Sequence, residues 1–283
     1  MVELGALIKI SLRRLLGRAR FFVALLLSAI CVLICYYKLP LFLDEHGMTI
    51  HAVEPFVMLF SAHWPQLFLL LSFLLLVGDV PFYHEGMEFV VSRSGKQKWL
   101  LAQGCSVLIL TLIWLLWILA CTLAVFGRFL SFSSEWSVFF KLLARNNLNA
   151  VRLMEIGFEF GVHPSANIIG AAGPYGMLGL TFLFQLLLFA SLGVWCMALN
   201  MWTKRSYGCA LTVAFWVFRF GLDLEPGLYM LTRFSPFSLT DYHIAPLTSA
   251  RIIYVILFFL LQIVLLLILS LRRIRQIDLT GLH

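Results

Sequence analysis

Apolar residues in this chain gather into long runs separated by short polar breaks. A helix that crosses a hydrocarbon core of about 30 Å needs about 20 mostly apolar residues. Six stretches read as such spans: Phe21 to Leu39, Phe56 to Gly78, Leu100 to Phe126, Pro174 to Asn200, Tyr207 to Leu222 and Ile252 to Leu271. The fifth in order is the shortest, with Arg219 inside it and Asp223 one helical turn later. Arg219 is expected either to snorkel outward or to pair with Asp223 at i,i+4. Glu225-Pro226-Gly227 and the apolar patch Leu228 to Leu231 follow, before Arg233. This predicts a short helix and then a shallow re-entrant turn, which membrane depth tolerates only where protein or a water-filled cavity covers it.

Between the runs the pattern changes. In the first 20 residues Leu4, Ile8, Leu12, Leu15 and Leu16 fall on one helical face, with Lys9, Arg13, Arg14, Arg18 and Arg20 off it. That pattern predicts an amphipathic helix lying on the inner leaflet, its cations near anionic headgroups. No small-residue cleavage site follows the first apolar run, so it does not read as a signal peptide. Residues 127–173 hold two stretches of helical spacing, Trp136 to Leu143 and Leu148 to Phe160, and residues 223–251 are punctuated by prolines. The fold class is therefore all-α: a polytopic membrane protein of six transmembrane helices with an N-terminal amphipathic helix.

Composition agrees: 61% of residues are hydrophobic and 12% charged, against roughly 45–50% and 25% in soluble domains. So little polar surface excludes a soluble enzyme or a nucleic-acid module. The net charge of +7 comes from basic residues at the ends of apolar runs. With both termini cytoplasmic, the inner segments 1–20, 79–99, 201–206 and 272–283 carry 13 of the 21 basic residues, while the outer loops carry nine of the 14 acidic ones. The positive-inside rule therefore favours termini in, in a cell membrane. All six cysteines lie in apolar segments, which points to neither a disulfide framework nor a zinc site.

The inner segment 79–99 carries the most chemistry. Asp79-Val80-Pro81 has the acid and proline of a helix start. Phe82, Glu85, Glu88 and Phe89 then recur at helical spacing, Arg93-Ser94-Gly95-Lys96 supplies a cationic, glycine-bearing stop, and Trp99 is placed to anchor the next span at the interface.

A basic helix before the first span, six spans, and an inner helix opening with Asp-x-Pro and closing with Arg-x-Gly-Lys-x-x-Trp resemble the membrane subunits of ABC transporters of the second, export-type class. The resemblance covers most of the chain as architecture, and its local motif is residues 79–99. It implies that residues 1–20 form an elbow helix, with Lys9, Arg13, Arg14 and Arg18 at the inner leaflet. It also implies that the inner segment docks on a soluble ATPase subunit through Asp79, Pro81, Glu85, Glu88, Arg93, Lys96 and Trp99. The re-entrant excursion before the last span would correspond to the stretch holding Arg219, Asp223, Glu225 and Pro226. The outer loop 127–173 is longer than the family's usual connection.

The same resemblance implies a bacterial permease that works as a dimer with a second copy or a related permease. It would export an amphipathic, drug-like or peptide substrate, with ATP and Mg bound by the partner ATPase and no cofactor on this chain. No Walker A loop occurs: Gln97 follows Gly95-Lys96 where Ser or Thr is needed, and Val90 stands where the first glycine should be. His84-Glu85-Gly86-Met87-Glu88 lacks the second histidine of a zinc-binding helix, and no G-x-S-x-G elbow is present. Asp44, Glu45, His46, His51, Glu54 and His63 supply metal-type donors without a recognised spacing. Gly170, Gly173, Gly176 and Gly179 form a small-residue stripe expected to pack against another span. Two rival readings remain. One is a membrane anchor or sensor that recruits a cytoplasmic partner; the other is a secondary transporter, which would be expected to hold ionisable groups near the midplane.

Overall fold

The computed structural model describes residues 4–82, 87–144, 166–203, 207–224, 226–242 and 247–276. It is mostly helical. Four helices are long and apolar enough to cross a membrane: α2 (Ala19–Tyr36) continued by α3 (Leu39–Glu45), α7 (Lys96–Phe126), α10 (Pro174–Thr203) and α13 (Ser249–Ile274). Two shorter apolar helices, α5 (His63–Val77) and α11 (Tyr207–Leu224), pack among them.

The stretch Phe56 to Gly78 is not one helix. It divides into α4 (Glu54–Leu59) and α5, with Phe60 to Ala62 between them. Pro65 is the reason. In an unbroken helix its nitrogen would face the carbonyl of Ser61, where it has no hydrogen to give and its ring would clash. The helix instead restarts at His63, which leaves Pro65 in a first turn where a missing N–H costs nothing. The third span begins earlier than the apolar run implies, at Lys96, because Gly95 (φ 86°) separates it from α6 (Met87–Ser94). Alpha-helical geometry resumes only after that left-handed residue.

α10 is the axis of the bundle, with most of its apolar window buried, whereas α13 and α2 keep most of theirs on the outside. α7, α11 and α13 pack against α10, and α5 packs along α2. Phe73, Trp114 and Phe189 meet in the middle with ring centroids 4.7–5.3 Å apart. Trp114 Nε1 donates to Ser72 Oγ (3.1 Å), whose hydroxyl in turn donates to the Ala24 carbonyl (2.8 Å), so three helices share one satisfied polar relay. The Gly170 to Gly179 stripe does not make the close helix contact expected of it; a Cβ on Gly170 or Gly179 would meet open space. Close approach falls instead at Gly193, where a Cβ would overlap Val107, and at Gly208, where it would overlap the Cys196 backbone.

α1 (Leu4–Leu16) is helical as expected, but its buried face differs. Leu7, Ser11 and Leu15 turn inward onto α7, while Leu4 and Leu16 are exposed. Lys9, Arg13, Arg14 and Arg18 remain on the outside.

The opposite end of the bundle is closed by a small cap. Two short strands, β1 (Ile50–His51) and β2 (Leu130–Ser131), pair in parallel. Around them lie α8 (Val138–Ala144), overlapping the predicted Trp136 to Leu143 stretch, and α9 (Ala166–Ala171). The predicted Leu148 to Phe160 helix lies outside the described residues. A 3-10 segment (Pro226–Phe234) and α12 (Pro236–Leu239) follow α11. The Ser235 hydroxyl caps α12 by accepting from the Ser238 amide.

Candidate functional site

Three polar arrangements stand out among the described residues. The first surrounds the turn at 78–82. Gly78 and Val80 both offer their carbonyls to Asn200 Nδ2 on α10 (2.8 Å each), and Asn200 Oδ1 accepts from the Gly208 amide at the start of α11 (3.0 Å). The Phe82 amide donates to Gln103 Oε1 on α7 (3.2 Å), and Gln103 Nε2 donates to Ser11 Oγ on α1 (3.2 Å). Asp79 takes an ion pair from Arg20 at the start of α2. Five helices are thereby tied together at Gly78, Asp79, Val80 and Phe82.

This turn differs from the predicted helix start: Asp79 to Phe82 are non-helical, and the described helix begins at Met87. Phe82 is buried and Phe89 is 73% exposed, so the two do not share a face. Trp99 is 0% exposed, inside the bundle rather than at its surface. Arg93 is exposed, Lys96 half-buried and Pro81 half-buried. Glu85 lies outside the described residues, as does the side chain of Glu88. Gln103, Asn200 and Ser11 escaped the sequence reading. The available signal was polarity inside apolar helices, which demands a partner.

The second arrangement is an ion pair inside the helical bundle. Arg219 on α11 donates to Asp241, after α12, and to Gln66 Oε1 on α5. Arg219 is 1% exposed and Asp241 3%, so Arg219 does not snorkel outward. Burial in an apolar bundle is tolerable for such a cation only with an anion beside it. Arg251, in the first turn of α13, donates to the Asp241 carbonyl (2.6 Å), and Tyr242 donates to Thr181 on α10 (2.8 Å). The cluster thus joins α5, α10, α11 and α13 to the segment after α12. The side chains of Asp223 and Pro226, and all of Glu225, lie outside the described residues; the Pro226 backbone opens the 3-10 segment.

The third sits in the cap. Glu54 is 0% exposed and accepts from the Ser137 amide (2.7 Å), the Ser137 hydroxyl (2.7 Å) and the His51 amide (2.9 Å). Burial pushes its carboxyl up to about 7, with Ser137 and His51 pulling the other way. His51 Nε2 lies 2.6 Å from the Ser133 carbonyl, His46 bonds the Phe42 carbonyl and Asp44 pairs with Arg128. Asp44, His46, His51 and Glu54 are thus each engaged in other bonds, and among the described residues no three His, Cys, Asp or Glu side chains group for a metal.

No protein-family model, curated protein or solved structure matches this chain.

Proposed function

We propose that the chain is the six-crossing membrane subunit of an ATP-driven exporter of the ABC type-two class, with both termini on the cytoplasmic side of the cell membrane. ATP hydrolysis resides on a separate soluble subunit. The observation that carries the reading is the polar junction at the turn 78–82, taken together with the exposed side chains of α6. α6 projects Phe89 and Arg93 outward, a large apolar side chain and a cation suited to a partner's groove. The turn at 78–82 is pinned to α10 and α11 by Asn200, to α7 and α1 by Gln103, and to α2 by Arg20. Force delivered to the turn would reach five helices through these bonds, which is how a rigid-body rearrangement would be driven from one docking point. The α10 axis and outward-facing α2 and α13 leave apolar surface for lipid and for a second permease.

Purification of the tagged chain in nanodiscs from its native membrane tests this. A Walker-motif ATPase is expected to co-purify, and Phe89→Asp is expected to lose it while leaving the chain folded. Its absence from both preparations overturns the reading.

One observation favours a second reading. The buried Arg219–Asp241 pair is the kind of intramembrane ionisable site that secondary transporters use. That reading requires transport in vesicles driven by an ion gradient without ATP.

A further inference from the structure

A continuous apolar groove runs along the outside of the bundle between α2 and α5. Towards the cap end, Leu27, Ile30, Cys31, Ile34 and Cys35 of α2 face Pro65, Phe68 and Leu71 of α5 across a cavity of about 320 Å³. Leu27 and Leu71 also line a wider opening that continues along Leu74 and Leu75 towards Asp79 and Arg20. α11 forms its third wall, where Cys209 and Ala210 are small enough to leave the space open. From Arg20 to Ile34 the groove follows 14 residues of α2, about 21 Å at 1.5 Å per residue. One leaflet of a hydrocarbon core of about 30 Å is about 15 Å deep, so a whole acyl chain fits along it.

The two ends differ. The walls from Leu27 to Ile34 are apolar, whereas Arg20 marks the far end and Arg18 lines a small adjoining cavity with Arg20 and Asp79. Arg20 is exposed although it pairs with Asp79, so one face of its guanidinium remains open to a further anion. Arg18 and Arg20 both line this end, a basic character that the apolar walls from Leu27 to Ile34 lack. A helix about 10 Å across is too wide for the 320 Å³ cavity, whereas a flexible hydrocarbon chain is not.

We infer that this groove binds an anionic glycerophospholipid, its acyl chain between α2 and α5 and its phosphate at Arg20. The site needs no ATPase and is independent of the transport reading.

The test reconstitutes the full chain in nanodiscs of mixed phosphatidylcholine and phosphatidylglycerol and counts the lipids retained on gentle extraction by native mass spectrometry. Phosphatidylglycerol is expected to be retained preferentially. Arg20→Gln is expected to lower that retention about fivefold, the worth of one cation at an anionic membrane surface. Asp79→Asn is expected to raise it, because the guanidinium is no longer shared. Leu71→Trp, which fills the groove where its two parts join, is expected to abolish it; Ile30→Phe on the opposite wall serves the same purpose should the first variant not fold. Equal retention of both headgroups, or retention unchanged by the filling variants, overturns the inference. A filling variant that leaves lipid in place and instead splits an oligomer assigns the groove to a second copy of the chain, and overturns it as well.

Discussion

Replacing Arg219 by Met tests the ion pair between α11 and the segment after α12. The guanidinium makes charge-assisted bonds to Asp241 and Gln66 in a site where neither charge reaches solvent. Hydrogen bonds to charged groups contribute about 1.5–3 kcal/mol each, so losing two costs about 3–6 kcal/mol. Breaking one side of a buried pair independently gives about 3–5 kcal/mol, and the two figures agree. At about 2–4 °C per kcal/mol for a chain of roughly this size, a cost of about 3–5 kcal/mol is expected to lower the melting temperature of the single variant by about 6–20 °C. Arg219→Met combined with Asp241→Asn removes the stranded charge along with its partner, and is expected to recover at least half of that loss. The assay is thermal unfolding in nanodiscs followed by tryptophan fluorescence, run as a double-mutant cycle. A single-variant cost below about 1 kcal/mol, the worth of an exposed pair, would refute the burial argument. So would a double variant whose loss equals the sum of the two singles, since it shows no coupling.

Other predictions follow from the cap and the inner turn. Glu54 titrates at about 7 when folded, above the carboxylate range of an open chain. Its contribution is therefore full below about pH 4 and is lost as pH rises through 7, costing about 3 kcal/mol by pH 8. Melting measured from pH 5 to 8 is expected to fall for the native chain and to flatten in Glu54→Gln. Asn200→Leu strands the Gly78 and Val80 carbonyls and the Gly208 amide. It is expected to cost about 2–3 kcal/mol and to uncouple ATP hydrolysis from transport while ATPase capture persists. Gln103→Leu is expected to free α1 from the turn, read as faster hydrogen exchange at residues 4–16 with exchange in α10 unchanged.

The helical class and the four long apolar helices were legible because lipid imposes length and apolarity directly on sequence. The break at Phe60 to Ala62 was legible too, since Pro65 cannot sit inside an unbroken helix, yet apolar continuity outweighed it in the reading of Phe56 to Gly78. Trp99 looked like an interfacial anchor because it stands at the start of an apolar span; its burial comes from tertiary packing, which spacing does not mark. Asp241 could not be found by spacing, because its partner Arg219 lies 22 residues away and Asp223, a single turn off, offered the nearer match. Gln103 and Asn200 showed only as polar residues in apolar surroundings. All but one of their partners, Ser11 Oγ, are main-chain atoms, which no side-chain pattern marks. The apolar pattern puts the buried face of α1 on Leu4, Ile8, Leu12, Leu15 and Leu16, and of these Leu15 alone is fully buried; Leu7 and Ser11 turn in with it, and Ser11 is the residue that Gln103 holds inward.

The most direct measurement of the transport account places a photo-crosslinking phenylalanine analogue at position 89 and irradiates native membranes, with mass spectrometry of the adduct. The account predicts a covalent link to a soluble ATPase carrying a Walker A loop, strengthened when nucleotide closes the ATPase dimer. Adducts to lipid alone, or no adduct from a chain that is folded and inserted, would contradict it.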